Sequence, residues 1–406
     1  MKIETRVWTL DELILANKVK LGRGDIISKK DIASFPGEYP IYSSAREKNG
    51  TFGFYGKYMF DEELITWSID GGGRLFYRPR HKFSVTNVGG TLRILDTDFL
   101  DCRYLHLVLT HLHSKIGFDW VYKAHPSVIR MVYNEIPIPS LEKQREIVEK
   151  LDDAFAEIDL LQENLGRGSD KCNQLSQSLL NSTFRPLEDS EAVRNPALSQ
   201  EIDLQMVPLK DLCIVFGDGD WIESKDQSES GIRLIQTGNI GKGVFKDRIE
   251  KSRWISEETF KRLRCTEIRE GDVLISRLPD PVGRACLIPA LEHKAITAVD
   301  CSIVRFNENR ILPKFFVYYS QAPAYGSAIG PLISGATRQR ISREKLGTIE
   351  IPLRSLQKQR EIVEKLDKSF AEIELLKAQI ELEKEHAAAL RQSLLSSTFL
   401  EREAVV

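Results

Sequence analysis

The ten residues KQREIVEKLD occupy positions 143–152 and recur, letter for letter, at positions 358–367. Extended outward without a gap, residues 141–184 align with 356–399, and 25 of the 44 positions are identical. Identity sits at two ends, LxKQREIVEKLD with FAEIxLL and then LxQSLLxSTF, while the middle diverges. Similarity of this extent is an internal repeat. Either the fold needs two like parts, or a partner reads one surface twice.

The repeated segment has a helical pattern. In the second copy Val363, Leu366, Phe370, Ile373, Leu376, Ile380, Leu390 and Leu394 recur at helical steps and predict a narrow apolar stripe, with Glu and Lys on the other faces. Ser140 and Ser355 stand where an N-cap belongs, each after a Pro-containing stretch, IPIPS and IPLRS. A helix of this length spans roughly 65 Å at 1.5 Å per residue. It must lie against something equally long, and its twin is the candidate. Gly166 and Gly168 each cost about 1 kcal/mol in a helix, so the first copy is expected to bend, fray or break there.

Outside the repeats lie two blocks that open alike (VWTLDEL at 7–13, VPLKDL at 207–212) and close alike (NEIPIPSL at 134–141, IEIPLRSL at 349–356). The chain reads as block, helix, block, helix: 1–140, 141–184, a linker 185–206, 207–355, 356–399 and a tail 400–406. The linker is polar, acidic and Pro-containing and is expected to be poorly ordered. GTLRIL, DVLISR, CLIPA and DCSIVRF read as strands, DGGGR and GNIGKG as turns, and DCRYLHLVLTHLHSK and PKFFVYYSQA as helices. The fold class is therefore α+β.

Bulk properties exclude several classes. The 406 residues carry a net charge of −2. Residues 1–140 hold 19 Lys/Arg against 16 Asp/Glu and residues 207–350 hold 22 against 19, so two mildly basic blocks are joined by acidic segments. No apolar run is long enough to span a membrane, and MKIETRVWTLDEL lacks the apolar centre of a signal peptide. The six cysteines are scattered with no CxxC pair. A cytoplasmic protein with reduced thiols is expected. No P-loop, GxSxG or HExxH is present, nor the Asn/Asp-Pro-Pro-Tyr/Phe tetrad of adenine methyltransferases. GDGD at 217–220 lacks the spaced oxygen donors of a calcium loop and reads as a turn. His106, His111 and His113 do not share one helical face, which argues against a metal site. DGGGR at 70–74 lacks the strand–helix setting of a dinucleotide fingerprint.

This order of parts resembles the specificity (S) subunit of type I restriction–modification systems, over nearly the whole chain. In block two the resemblance rests on RLIQTGNIGKGVF, WISEETFKRLR, IREGDVLISRLPDPVGRACLI and GATRQRISREKLGTIEIPLRSLQKQREIV, in the family's order. In block one it rests on YPIYSSAREKNGTFGFYG and DGGGRLFYRPRHKFSVTNVGG. There are two departures. Lys143 and Lys358 replace the family's glutamate, which bears on the helix cap, and Leu278-Pro279-Asp280-Pro281 replaces a Ser-Gly type loop, which bears on what block two reads.

The resemblance implies two globular target recognition domains joined by two long antiparallel coiled-coil helices, with a pseudo-twofold internal repeat. It implies no catalytic centre and no metal. Each domain would bind one half of a bipartite site on double-stranded DNA. The helices would set the spacing and dock two methyltransferase (M) subunits, and restriction/translocase (R) subunits would complete the complex. S-adenosylmethionine, ATP and magnesium would belong to those partners, with no cofactor on this chain. Two readers on one face of a duplex stand roughly 34–36 Å apart, or a multiple of it, and paired helices suit that task.

Candidate DNA contacts in block one are Arg46, Lys48, Tyr55, Lys57, Arg74, Arg78, Arg80 and Lys82, with His81 among them. In block two they are Thr237, Asn239, Lys242, Arg253, Arg277, Arg284, Arg338 and Arg340. Lys and Arg meet phosphates, Arg pairs with guanine and Asn with adenine. Gln144, Arg145, Gln359 and Arg360, in the identical helix starts, are the candidate partner-docking residues. The alternative is a coiled-coil scaffold without DNA readout, which would shift no DNA in an electrophoretic assay.

Overall fold

The computed structural model describes residues 5–44, 48–70, 73–116, 123–185 and 204–400. They fall into two units, Met1–Gly166 with Glu381–Val406, and Arg167–Ile380. The first unit opens with strand β1 (Arg6–Trp8) and helix α1 (Leu10–Leu15). The sequence TLDE writes a capping box there: Glu12 N–H donates to the Thr9 hydroxyl at 3.0 Å and Thr9 N–H donates to the Glu12 carboxylate at 2.8 Å. Next come β2 (Val19–Arg23), α2 (Lys29–Ser34), β3 (Tyr39–Tyr42), β4 (Thr51–Tyr55), β5 (Phe60–Ser68), β6 (Leu75–Val85) and β7 (Gly89–Ile94). They build a six-stranded sheet in the order β2-β7-β5-β6-β3-β4, antiparallel except where β3 runs beside β6. Helices α3 (Cys102–Lys115) and α4 (Pro126–Val132) pack on it around a core of Leu10, Leu13, Trp67, Tyr104 and Tyr133. Strand β8 (Ile136–Ile138) then pairs antiparallel with β1.

The second unit repeats the root and changes the body. Strand β9 (Gln205–Pro208) leads to β10 (Cys213–Asp218), β11 (Gln227–Ser228), β12 (Ile232–Ile235), β13 (Arg253–Ile255), α6 (Glu257–Leu263), β14 (Val273–Ser276), β15 (Ala285–Leu287), β16 (Ala295–Thr297) and β17 (Cys301–Phe306). Here there are two four-stranded sheets, ordered β10-β17-β14-β15 and β11-β13-β12-β16. Helices α7 (Pro313–Tyr319), α8 (Pro323–Ile329) and α9 (Arg343–Gly347) follow, and β18 (Glu350–Leu353) pairs antiparallel with β9. The like openings and closings of the blocks are thus the two strands of one ribbon. Each ribbon ties its block shut and delivers the chain into a long helix.

Those helices are α5 (Leu141–Thr183) and α10 (Leu356–Leu400). The first carbonyl of each turn comes from the expected serine, with Ser140 accepting from Gln144 N–H at 3.0 Å and Ser355 from Gln359 N–H at 2.9 Å. The Ser140 hydroxyl takes the Lys143 amide at 3.4 Å, and Lys143 itself pairs with Glu146. Lys358 pairs with Glu361 at 2.9 Å. The lysines that depart from the family pattern therefore leave the serine cap standing.

The two helices run antiparallel: in each unit the N-terminal half of one is grouped with the C-terminal half of the other. In unit one Ile147, Leu151, Phe155 and Ile158 share a core with Ala387, Leu395 and Phe399. In unit two Leu180 and Phe184 share one with Leu366. The seam recurs every seven residues, at Leu151, Ile158, Leu165 and Cys172 in α5 and at Leu366, Ile373, Ile380 and Ala387 in α10. Beside it in α10 stand Val363, Phe370, Lys377, Lys384 and Arg391, all half-buried, so long cationic stems fill the seam where apolar residues run out. Arg391 lies over the Phe155 ring at 4.4 Å and binds Asp159 at 2.6 Å.

Two expectations about the helices fail. Gly166 and Gly168 do not break or fray α5, which is continuous from 141 to 183. A Cβ at Gly168 would stand 3.3 Å from the Ile380 side chain, so the glycine lets that seam residue approach. Seam packing offsets the intrinsic cost of the two glycines. Leu376 and Leu390 do not belong to the apolar stripe and are 50% and 49% exposed. Each lies three residues beyond a seam position, roughly 50° round the helix, and so flanks the seam.

Gln144 and Gln359 are not docking residues, because both are fully buried. The Gln144 carboxamide accepts from Asp101 N–H, the N-cap of α3, at 2.9 Å and donates to the carbonyls of Phe99 and Pro139 at 3.0 and 2.9 Å. Gln359 repeats this on α7, accepting from Leu312 N–H at 2.8 Å and donating to Arg310 and Arg354 at 2.9 and 2.7 Å. A second tie follows about two turns on, eight residues after each glutamine. Arg103 pairs with Asp152 at 3.0 Å, and Lys314 pairs with Asp367 at 2.8 Å. Gln359→Ala would strip three hydrogen bonds and strand three buried backbone groups. A loss of roughly 3 kcal/mol is expected, read as a lower urea midpoint at unchanged slope, and an unchanged midpoint would refute the bracket.

Candidate nucleic-acid and partner interfaces

The block-one candidates divide by burial. Arg74 and Arg80 are exposed, Arg74 lying 5.3 Å over the Phe76 ring and Arg80 at 3.9 Å from Asp61. Lys57 is exposed with its ammonium 3.4 Å from the Phe35 ring centre, and Tyr55 packs edge-on to the same ring. Lys82 lies 4.8 Å over Tyr58, and the His81 ring stacks on Phe83 at 4.6 Å. Lys48 begins a helical turn, Lys48–Gly50. Arg46 and the glycines at 71–72 of the DGGGR turn lie outside the described residues, as does most of the 185–206 linker.

Arg78 is corrected. It is 1% exposed, donates Nε–H to the Thr66 hydroxyl at 2.9 Å and stacks on the Tyr42 ring at 3.5 Å. Burial lowers its pKa to about 10, so it stays a cation, held inside the sheet and unable to reach a duplex.

Block two divides likewise. Lys242, Arg253, Arg338 and Arg340 are exposed, with Arg338 at 3.4 Å from Asp300. Arg277 is mostly covered, paired with Asp218 at 3.5 Å and donating to the Val299 carbonyl. Arg284 and Asn239 are corrected. The buried Arg284 guanidinium donates to four carbonyls, of Ile240, Leu278, Pro281 and Thr237, at 2.7, 2.7, 3.0 and 2.8 Å. It therefore staples the GNIGKG turn, Thr237 included, to the Leu278-Pro279-Asp280-Pro281 loop. The buried Asn239 accepts from Gln236 N–H and donates to the Lys246 carbonyl, both at 3.0 Å. Both side chains are buried and turned to the backbone.

GDGD at 217–220 is not the expected turn: Gly217 and Asp218 end strand β10, and Asp220 bridges Ala298. A Cβ on Gly219 would lie 2.3 Å from the Ala298 carbonyl oxygen, and at the matching place in block one a Cβ on Gly24 would lie 1.9 Å from that of Val85. Burial raises the Asp220 carboxyl to about 6, and that group accepts from Thr266 N–H at 3.1 Å. Of the histidines, burial lowers His106 to about 3, while His113 lies 3.0 Å from the Tyr133 hydroxyl. Among the described residues no group of His, Cys, Asp and Glu is arranged to hold a metal, and no helix is long and apolar enough to cross a membrane.

Two surfaces escaped the sequence reading. Arg145 and Arg360 are exposed at the helix starts, but the larger repeated feature is apolar. Leu160, Leu161 and Leu390 are exposed in unit one, and Leu375, Leu376 and Leu175 in unit two. Leu160 and Leu375, Leu161 and Leu376, and Leu175 and Leu390 are equivalent positions of the repeat. The signal was present in the identical FAEIxLL segments, whose leucine pair falls off the seven-residue seam. The second surface is a group of aromatics at 35–58, including Phe52 and Phe54, legible as the alternation of TFGFY.

Known proteins share this organisation. The family model for the type I restriction modification DNA specificity domain matches twice, over residues 9–166 and 201–384. A putative type I specificity subunit of Mycoplasma pneumoniae is 30% identical over 217 residues, covering 52% of this chain and 54% of the relative, so the match spans about half of that protein's length. The specificity subunit of a type I restriction enzyme of Methanocaldococcus jannaschii is 20% identical over 311 residues, covering 75% of this chain and 71% of that one. Among solved structures, a chain from a type I restriction–modification assembly superposes with a TM-score of 0.68 at 18% identity, covering 94% of this chain and 97% of the other. The HsdS subunit of Thermoanaerobacter tengcongensis gives 0.54 at 17% identity, covering 97% and 96%. With two matched specificity domains, each rooted in a strand ribbon and a repeated helix, this chain belongs to the type I restriction–modification DNA specificity subunit family.

Proposed function

We propose that each block binds one half of a bipartite site on double-stranded DNA, that the two helices set the distance between the halves, and that they dock two methyltransferase subunits. Restriction subunits join that complex. S-adenosylmethionine, ATP and magnesium act on those partners, and this chain contributes recognition and geometry without a catalytic residue. One observation carries the reading. The roots of the two blocks are the same down to the Gln144 and Gln359 brackets, while the sheets they carry differ. Like roots suit like partners, and unlike sheets suit unlike half-sites.

After the buried ones are removed the blocks retain exposed cations for phosphate contact, Lys57, Arg74 and Arg80 in block one and Lys242, Arg253, Arg338 and Arg340 in block two, with Lys82 half-buried beside the first set. The docking faces are the repeated leucines with Arg145 and Arg360. Six exposed leucines in two equivalent sets present apolar surface of the kind a partner's helices cover.

Exchange of residues 207–350 for the matching block of another family member tests the reading. Sequencing of methylated bases in cells carrying the chimera is expected to show one half-site changed and the other kept, whereas a change in both would contradict modular readout. Leu161→Glu with Leu376→Glu is expected to weaken methyltransferase-subunit binding at least about tenfold, each charge opposing burial of apolar area. Chains still bound should keep their half-site preference. Full assembly by this double variant in analytical ultracentrifugation would remove the leucines from the interface.

A further inference from the structure

Among the described residues five large aromatic side chains are exposed, and four of them, Phe35, Phe52, Phe54 and Tyr58, fall within one stretch of block one. Phe52 and Phe54 are 49% and 57% exposed on one face of β4, while Thr51, Gly53 and Tyr55 between and beside them are half-buried. Strand β4 is the edge of the six-stranded sheet and forms a hairpin with β3, so the two rings stand on a two-stranded ribbon with nothing beyond it in the sheet. Cations crowd the ribbon's other face, where Tyr39 and Tyr55 are register partners. Lys57 lies over Phe35 at 3.4 Å, and Lys82 lies over Tyr58 and Tyr39 at 4.8 and 5.8 Å.

Two properties select the occupant. The ribbon carries the two exposed rings on one face and ammonium groups at the rings of the other, so a partner that takes the whole ribbon carries negative charge as well as apolar groups. The cluster is also unrepeated: among the described residues of block two the exposed large aromatic is Trp221, three residues after β10. A protein that docks twice would meet its surface twice, as the leucines do. What block one meets alone is its own half-site. The major groove of a duplex admits a two-stranded ribbon, is walled by phosphates and displays thymine methyl groups that phenylalanine can contact.

Resting on the DNA-binding reading above, we infer that the β3–β4 hairpin enters the major groove of the half-site read by block one. There Phe52 and Phe54 determine specificity by packing against thymine methyls, while Lys57 and Lys82 face the phosphates. The recognition is of A·T pairs by apolar contact rather than by hydrogen bonds alone.

The test uses the full chain in complex with its methyltransferase subunits and a duplex carrying its own site. Uracil replaces thymine in one half-site at a time, removing only the methyl. For the unaltered chain, uracil in the block-one half-site is expected to weaken binding about fourfold per methyl contacted. F52A/F54A, altered only at exposed positions, should bind that half-site more weakly and show no further loss with uracil. Sensitivity to uracil in the other half-site should be unchanged. A variant that keeps the full uracil effect overturns the inference, and so does one that loses the methyltransferase subunits without altered DNA preference, which would make the hairpin a protein contact. If the unaltered complex prefers no sequence at all, the DNA-reading role itself falls, and this inference with it.

Discussion

A carboxamide sealed from water at the first turn of each long helix holds the rest in place. Gln144 and Gln359 each engage one amide and two carbonyls that would otherwise be buried without partners. The amide belongs to the N-cap of the block's own helix, α3 or α7, so helix and block share a single hydrogen-bonded joint. The ionic tie about two turns on, Arg103 to Asp152 and Lys314 to Asp367, fixes the rotation of the long helix about that joint. Much of the letter-for-letter identity of KQREIVEKLD thus has an internal cause. The glutamine closes the joint, Leu151 and Leu366 open the seam, and the aspartate locks it. Arg145 and Arg360 stay exposed outside that joint.

The same division separates what repeats from what does not. Buried residues repeat because each half must solve the same packing problem. Exposed residues that also repeat, the leucines at 160, 161 and 175 and at 375, 376 and 390, need another reason, and a partner present twice supplies one. Exposed residues that do not repeat, such as Phe52, Phe54 and Trp221, belong to what each block does alone. Every cysteine among the described residues is a free thiol, and Cys172 sits at a seam position, so no crosslink contributes to the rod.

The helices were the most legible part of the sequence because their signal is local and periodic. Expected bounds of 141–184 and 356–399 compare with 141–183 and 356–400. The blocks' strands at 89–94, 273–276 and 301–306 and the helices at 102–115 and 313–319 were legible for the same reason. The glycines misled because propensity was weighed without the seam that Gly168 admits. The site residues were least legible. Arg284, Asn239 and Arg78 look like readers by residue type, yet Arg284 is spoken for by carbonyls up to 47 positions away and Arg78 by a ring on another strand. Exposure is a long-range property, and a motif does not carry it. The hairpin aromatics were missed for the converse reason: TFGFY alternates as any half-buried strand does, and only the sheet order places it at an edge.

If the helices are the ruler, their length fixes the gap between half-sites. Removing residues 164–170 together with their repeat equivalents 379–385 deletes one heptad from each helix and preserves the seam register. Seven residues are about 10.5 Å of helix, close to three base pairs at 3.4 Å each. Sequencing methylated bases in cells carrying this variant is the direct measurement. The expected result is two unchanged half-sites brought about three base pairs closer. Unchanged spacing, or altered half-site sequences at any spacing, would contradict the assignment of distance to the helices and recognition to the blocks.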